Sequence, residues 1–93
     1  MVQIVKRWNI RSWNQRNISL IPNIVGVYVL YNQRRHPLYV GMTLNLKNRL
    51  WNHYHFNDIP GIRFFRCYHT RSRRDAIALE KRLFYKLDPM YSD

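Results

Sequence analysis

Two runs of β-branched and aromatic residues lie close together near the middle of the chain. Val25-Gly26-Val27-Tyr28-Val29-Leu30-Tyr31 reads as a strand, and Leu38-Tyr39-Val40-Gly41 as a short second one. Between them Asn32-Gln33-Arg34-Arg35-His36-Pro37 is a polar turn, so the pair predicts a hairpin with a longer loop. Any fold open to this sequence must place that hairpin in a sheet. The rest follows along the chain. Thr43 or Asn45 can cap a helix over about 44–55, with Leu46, Leu50 and Tyr54 on one face and Arg49 and His53 on another. Asn57-Asp58-Ile59-Pro60-Gly61 breaks it, and Ile62 to Tyr68 reads as a third strand. Ser72 with Asp75 three residues on resembles a capping box for a helix that runs to about Leu87, where Asp88-Pro89 stops it. The expectation is an α+β domain: a small three-stranded, mostly antiparallel sheet flanked by helices in the order β-β-α-β-α. Residues 1–22, with Lys6, Arg7, Trp8, Arg11, Trp13 and Arg16, read as a basic N-terminal extension of ambiguous periodicity, and 23–93 as the domain proper. Core packing is the expected role of both tryptophans.

The single glutamate, Glu80, falls where a solvated charge should not. At helical spacing its neighbours are Ala76, Ile77, Leu83, Phe84 and Leu87, an apolar face. A carboxylate there needs a partner, either an arginine or a metal ion. The setting is strongly basic: sixteen Lys and Arg against five Asp and Glu, a formal charge of +11 in 93 residues. Twelve of the cations are arginines, whose planar fork donates in pairs to phosphate. Nucleic acid is therefore the leading partner; no long basic amphipathic helix of the membrane-surface kind competes with that reading. One cysteine, Cys67, excludes an internal disulfide, argues against a zinc finger and reads as core. The first residues are not a signal peptide, and no stretch approaches the ~20 apolar residues of a membrane span. A soluble, intracellular (cytoplasmic) protein is expected. His36, His55 and His69 have no ligand spacing and read as surface or core fillers.

Gly26-Val27-Tyr28 and, ten intervening positions later, Tyr39-Val40-Gly41 resemble the two signature tripeptides of the GIY-YIG nuclease domain. Arg49, His53 and Glu80 match that family's arginine, a histidine of many members and the metal-binding glutamate. The resemblance covers 24–92. It departs from the pattern in three ways. Val replaces Ile in both tripeptides. Met42 stands where some relatives have a lysine. Ser92 replaces the asparagine of a Pro-x-Tyr-Asn segment.

The resemblance implies a divalent-metal-dependent endonuclease hydrolysing DNA phosphodiester bonds. Glu80 would hold one Mg²⁺ or Mn²⁺, Arg49 would clamp the phosphate, Tyr28 would act as base with Tyr39 as its hydrogen-bonding neighbour, and His53 would assist. No small-molecule cofactor is implied. Because a free tyrosine has a pKa of about 10, a base role requires Arg49, the metal or His53 to lower it, and predicts a rate that rises from pH 7 to 9. Gly26 and Gly41 are motif positions where a side chain could block the approach of substrate. Arg34, Arg35 and Lys47, with Arg71, Arg73 and Arg74 at a helix N-terminus, are expected phosphate-positioning residues. The expected partner is duplex or branched DNA, and cutting both strands would require a homodimer or two separate events. The alternatives are a catalytically silent nucleic-acid-binding module on the same fold, and a basic protein that binds RNA or an acidic partner.

Overall fold

The computed structural model describes residues 2–91. Ser92, the fourth position of the Pro-x-Tyr-Asn segment, lies outside them. The elements are β1 (Ile4–Arg7), β2 (Arg11–Ser12), α1 (Gln15–Ser19), β3 (Gly26–Tyr31), β4 (Pro37–Thr43), α2 (Leu46–Phe56), β5 (Phe64–Thr70) and α3 (Arg73–Leu87). The β-β-α-β-α order of the main body holds. The sheet, however, has five strands rather than three, in the order β1-β5-β3-β4 with β2 also on β5. Both extra strands come from the basic lead-in: Lys6 faces His69, Arg7 faces Tyr68, and Arg11 faces Phe65. Their shortness and charge hid them, because β1 buries little (Val5, Lys6 and Arg7 are all exposed) and so shows no clean alternation. The tryptophans behave as expected: Trp8 is buried, and Trp13 packs edge-on against Phe65, 5.5 Å between ring centres.

β3 is the central strand. With β5 on one side, β4 on the other and helices over both faces, all six of its residues are buried. All the pairings are antiparallel. In the β3–β4 hairpin Tyr28 faces Gly41 and Leu30 faces Tyr39; the register then shifts, and Tyr31 faces Pro37. Leu38 is the extra residue, a bulge that lets Leu38 and Tyr39 join one core cluster. The turn is closed by Asn32, whose Oδ1 accepts from the amides of Arg34 and His36, each at 2.9 Å.

Side chains alternate across the strands, so the core splits in two. Ile18 of α1 and Leu46 and Leu50 of α2 pack with Tyr28, Leu30, Tyr39 and Phe65 on one face, where Cys67 also lies buried. Ala76, Leu79 and Leu83 of α3 pack with Val27, Val29, Val40 and Tyr68 on the other. α3 begins as expected: Ser72 Oγ accepts from the Asp75 amide, and Asp88 ends it in a left-handed conformation before Pro89. α2 is seated differently from expectation. Asn45 stands at the cap but makes no side-chain cap bond; instead the Leu46 and Asn48 amides reach back to Ile24 O and Asn23 Oδ1. Those bonds tie the first turn of α2 to the residues that lead into β3. No helix among the described residues is long and apolar enough to cross a membrane.

Candidate active site

Three rings meet beneath α2. Tyr28 comes from β3, Tyr39 from β4 and His53 from the third turn of α2. The His53 ring centre lies 5.4 Å from each tyrosine's, and the two tyrosines are 5.9 Å apart. The register explains the meeting. Tyr28 and Tyr39 sit on the same face, with one cross-strand pair (Val29–Val40) between theirs, and Arg49 and His53 share a helix face one turn apart. The Tyr28 hydroxyl lies 2.8 Å from His53 Nε2 and accepts from Arg49 Nε at 3.2 Å. The structure thus brings Tyr28, Tyr39, Arg49 and His53 into one cluster. Tyr28 is wholly buried and His53 nearly so.

Gly41 is part of this geometry. A Cβ at that position would come within 2.5 Å of the Tyr28 hydroxyl oxygen and 2.8 Å of the Tyr39 ring. The hydroxyl therefore occupies the space that any other residue would fill. Gly26 serves a different contact, since a Cβ there would run into the Tyr68 carbonyl oxygen and come within 2.9 Å of Leu46. It is the close approach that lets α2 settle on the sheet.

Glu80 arrives from the other side. On α3 the buried stripe is Ala76, Leu79 and Leu83, while Ile77 is about half exposed, so Glu80 stands at the rim of the apolar face rather than in its middle. Its Oε2 accepts from the Met42 amide at 2.8 Å. Met42 lies on β4, the edge strand, and follows Gly41 directly. The carboxylate and the Tyr28 hydroxyl therefore converge on the Gly41–Met42 segment from opposite layers. No cluster of three or more His, Cys, Asp or Glu able to hold a metal occurs among the described residues.

Burial, and after it the neighbouring Tyr39, push the Tyr28 phenol well above its ordinary value; the Arg49 guanidinium pulls the other way and is outweighed. The expectation of a phenol lowered by its neighbours is not met in the free protein. Desolvation is the larger effect because the ring is packed beneath α2.

The basic candidates do not form one patch. Arg34 and Arg35 are exposed at the hairpin tip, beyond the Tyr31–Phe64 end of the sheet. Arg71, Arg73 and Arg74 follow Thr70, whose amide bonds Val25 at the other end, and Lys47 in the first turn of α2 lies at that same end. Arg35 rests its guanidinium over Phe64, 4.8 Å from the ring centre. Three features were missed from the sequence. One is the Met42 amide, which no residue type could announce. Another is a groove between β1, β5 and α3 lined by Arg7, Arg66, Arg82 and Lys86. The last is Asp58, whose Oδ1 lies 2.8 Å from His53 Nδ1. A signal for it existed: Asn57 directly after the helix favours the left-handed cap that turns the chain back.

The UvrC-like GIY-YIG domain, as a sequence family, matches residues 24–92. The UvrABC system protein C of Neisseria meningitidis serogroup B is 31% identical over 80 residues, which cover 77% of this chain and 13% of that protein. The protein of the same name from Campylobacter jejuni is 30% identical over 93 residues, covering 84% of this chain and 16% of that one. The chain thus spans less than a fifth of these relatives. Among solved structures, the GIY-YIG N-terminal endonuclease domain of UvrC from Thermotoga maritima, bound to magnesium as its catalytic divalent cation, superimposes with a TM-score of 0.69. It is 25% identical, and the match covers 85% of this chain and 94% of that one.

Proposed function

This chain belongs to the UvrC-like GIY-YIG domain family, and on that premise we propose that it is a divalent-metal-dependent endonuclease that hydrolyses DNA phosphodiester bonds. The observation that carries the reading is the Tyr28–His53–Arg49 cluster set against Gly41, with Glu80 bound to the next amide along. Residues 23–93 are the nuclease domain in this reading, and residues 1–22 are an extension that completes its sheet.

Tyr28 acts as the base. Its raised pKa means that it carries its proton at rest, so it cannot wait as a phenolate. It takes a proton from the attacking water as it passes its own to His53 Nε2, 2.8 Å away. Arg49, already hydrogen-bonded to the same hydroxyl, stabilises the oxygen as charge builds and holds a non-bridging phosphate oxygen with its remaining donors. Tyr39 borders both rings and keeps them in place. Glu80 fits a hard cation: it is a half-buried carboxylate that accepts from the Met42 amide, and a site of one carboxylate completed by water suits Mg²⁺ or Mn²⁺. Bound there, the ion would supply charge relief to the phosphate and the leaving oxygen. The exposed arginines at either end of the sheet, Arg34 and Arg35 with Arg71, Arg73 and Arg74, and Lys47 beside the latter, position the DNA backbone.

A second reading, a nucleic-acid-binding module without activity, draws on the complete burial of Tyr28. Cleavage of supercoiled plasmid in Mg²⁺ and in EDTA, by wild type and Glu80→Ala, separates the two. The nuclease reading expects metal-dependent nicking that the variant loses while it still binds DNA. Binding by both proteins with cutting by neither would favour the silent module.

A further inference from the structure

Asp58 is one of five acidic residues in a chain of charge +11, and it stands against the buried imidazole at the centre of the site. His53 Nδ1 lies 2.8 Å from one Asp58 oxygen and 3.1 Å from the other, so both oxygens face a single nitrogen. An ionised carboxylate can only accept. Nδ1 must then carry the hydrogen. In the neutral ring this leaves Nε2 with a bare lone pair, and Nε2 is the atom 2.8 Å from the Tyr28 hydroxyl. The opposite tautomer would set a ring lone pair against the carboxylate and remove Nε2 as an acceptor for the Tyr28 proton.

From this geometry we infer that Asp58 is a positioning residue: it holds His53 in the Nδ1–H tautomer, so that Nε2 is free to receive the Tyr28 proton. The inference rests on the reading of Tyr28 as base. It adds an element to that reading that neither the tripeptides nor the charge pattern contain.

The fold builds the contact deliberately. Asn57 is left-handed (φ 49°, ψ 42°), and its amide caps His53 O. The chain reverses there, and buried Ile59 and Ile62 anchor the return. Asp58 is thereby turned back onto the last turn of α2. The His53 side chain is 2% exposed and that of Asp58 is 49% exposed, so the carboxylate stays hydrated while the ring is shielded. The ionisable groups facing His53 are Tyr28 from β3, Tyr39 from β4 and Asp58 from the turn, with Arg49 beside the same Tyr28 hydroxyl on α2. Arg49 opposes a positive imidazole, and Asp58 offsets it at the moment the proton arrives. The step balances. A water O–H bond breaks, and its proton goes to Tyr28 as the Tyr28 proton moves to Nε2. The hydroxide forms the new P–O bond, the old one breaks, and the leaving oxygen takes a proton from solvent. His53 then returns its proton to solvent, held until then between Tyr28 and Asp58.

Long-range ¹H–¹⁵N correlation spectra of the metal-free protein read the tautomer directly. His53 is identified among the four histidines by the signal lost in His53→Gln. The neutral ring of the wild type should show protonated Nδ1 and bare Nε2. In Asp58→Ala that preference should collapse to a mixture, and kcat for plasmid nicking should fall at least tenfold with KM little changed; Asp58→Glu should recover much of both. A wild-type His53 protonated on Nε2 overturns the inference with no variant needed. So does an Asp58→Ala protein that keeps the wild-type tautomer. Because the spectra need neither metal nor DNA, they decide the role of Asp58 even if the wild type fails to cut, a result that would instead sink the nuclease reading.

Discussion

The two faces of the central sheet are built from alternate residues of the same strands, yet they follow different rules. Under α3, Val27, Val29 and Val40 meet Ala76, Leu79 and Leu83, and volume is what matters. Under α2, glycines and polar-tipped rings replace the valines. Gly26 admits the helix, Gly41 admits a hydroxyl, and Tyr28 and His53 satisfy each other's polar atoms in a buried space. The α3 face should tolerate the loss of a methyl group at a cost in stability alone. The other depends on atoms being within hydrogen-bond reach, because a buried polar group that loses its partner costs about 1–3 kcal/mol and its chemistry as well. The candidate catalytic rings sit on the face with the less forgiving geometry, and Glu80 reaches the edge of that site from the α3 side.

The sharpest way to break this contrast is to remove one group from each face. Tyr28→Phe deletes a single oxygen. Cleavage should fall by a hundred- to ten-thousandfold, while the unfolding free energy drops by only about 1–3 kcal/mol. Leu83→Ala should do the reverse, costing about 2–5 kcal/mol with kcat per folded molecule unchanged. Plasmid nicking alongside urea unfolding measures both. Equal losses of rate in the two variants would show that the faces are not separable.

The glycines sharpen the comparison within the α2 face. In Gly26→Ala the new methyl meets the Tyr68 carbonyl, which cannot retreat without breaking the β3–β5 ladder, so a loss of about 3 kcal/mol or more is expected. In Gly41→Ala it meets the ends of two side chains, which can move. That variant should keep more stability than Gly26→Ala and lose most of its cleavage, as Tyr28 is pushed off His53. Thermal unfolding and nicking rates test the order; a Gly41→Ala enzyme of full activity would mean that Tyr28 need not occupy that space.

The smallest effect is an alkaline one. Burial raises the phenols of Tyr28 on one face and Tyr31 on the other, with Tyr39 and Tyr68 respectively adding to it. The folded state therefore holds both protonated, whereas the unfolded chain releases them near pH 10. Their contribution to stability is full below about pH 10 and is lost as pH rises toward the folded values. Followed by tyrosinate absorbance and circular dichroism together, these two rings should ionise only as the protein unfolds. Complete ionisation with the fold intact would contradict their burial.

Much of this molecule was legible in local pattern. The hairpin runs, the Ser72 cap and the Asp88-Pro89 stop are set by backbone preferences over a few residues, and they appear where the sequence predicts them. The spacing of Tyr28, Tyr39, Arg49 and His53 was enough to put them on the right strands and on the right helix face. The lead-in was not legible, because β1 and β2 exist only through their pairing with β5, some 60 residues on, and bury too little to leave a periodic trace.

The amino-acid sequence by itself determined which residues could do chemistry and which elements carry them, since both are properties of residue type and near-neighbour spacing. Only the tertiary structure decided how they are wired: that Glu80 finds the Met42 amide, that Gly41 leaves room for the Tyr28 hydroxyl, and that burial raises that phenol instead of its neighbours lowering it. Each of these depends on strand register, on how the helices seat against the sheet or on exclusion of water. Those are settled when distant segments close on one another, and no local stretch of sequence encodes them.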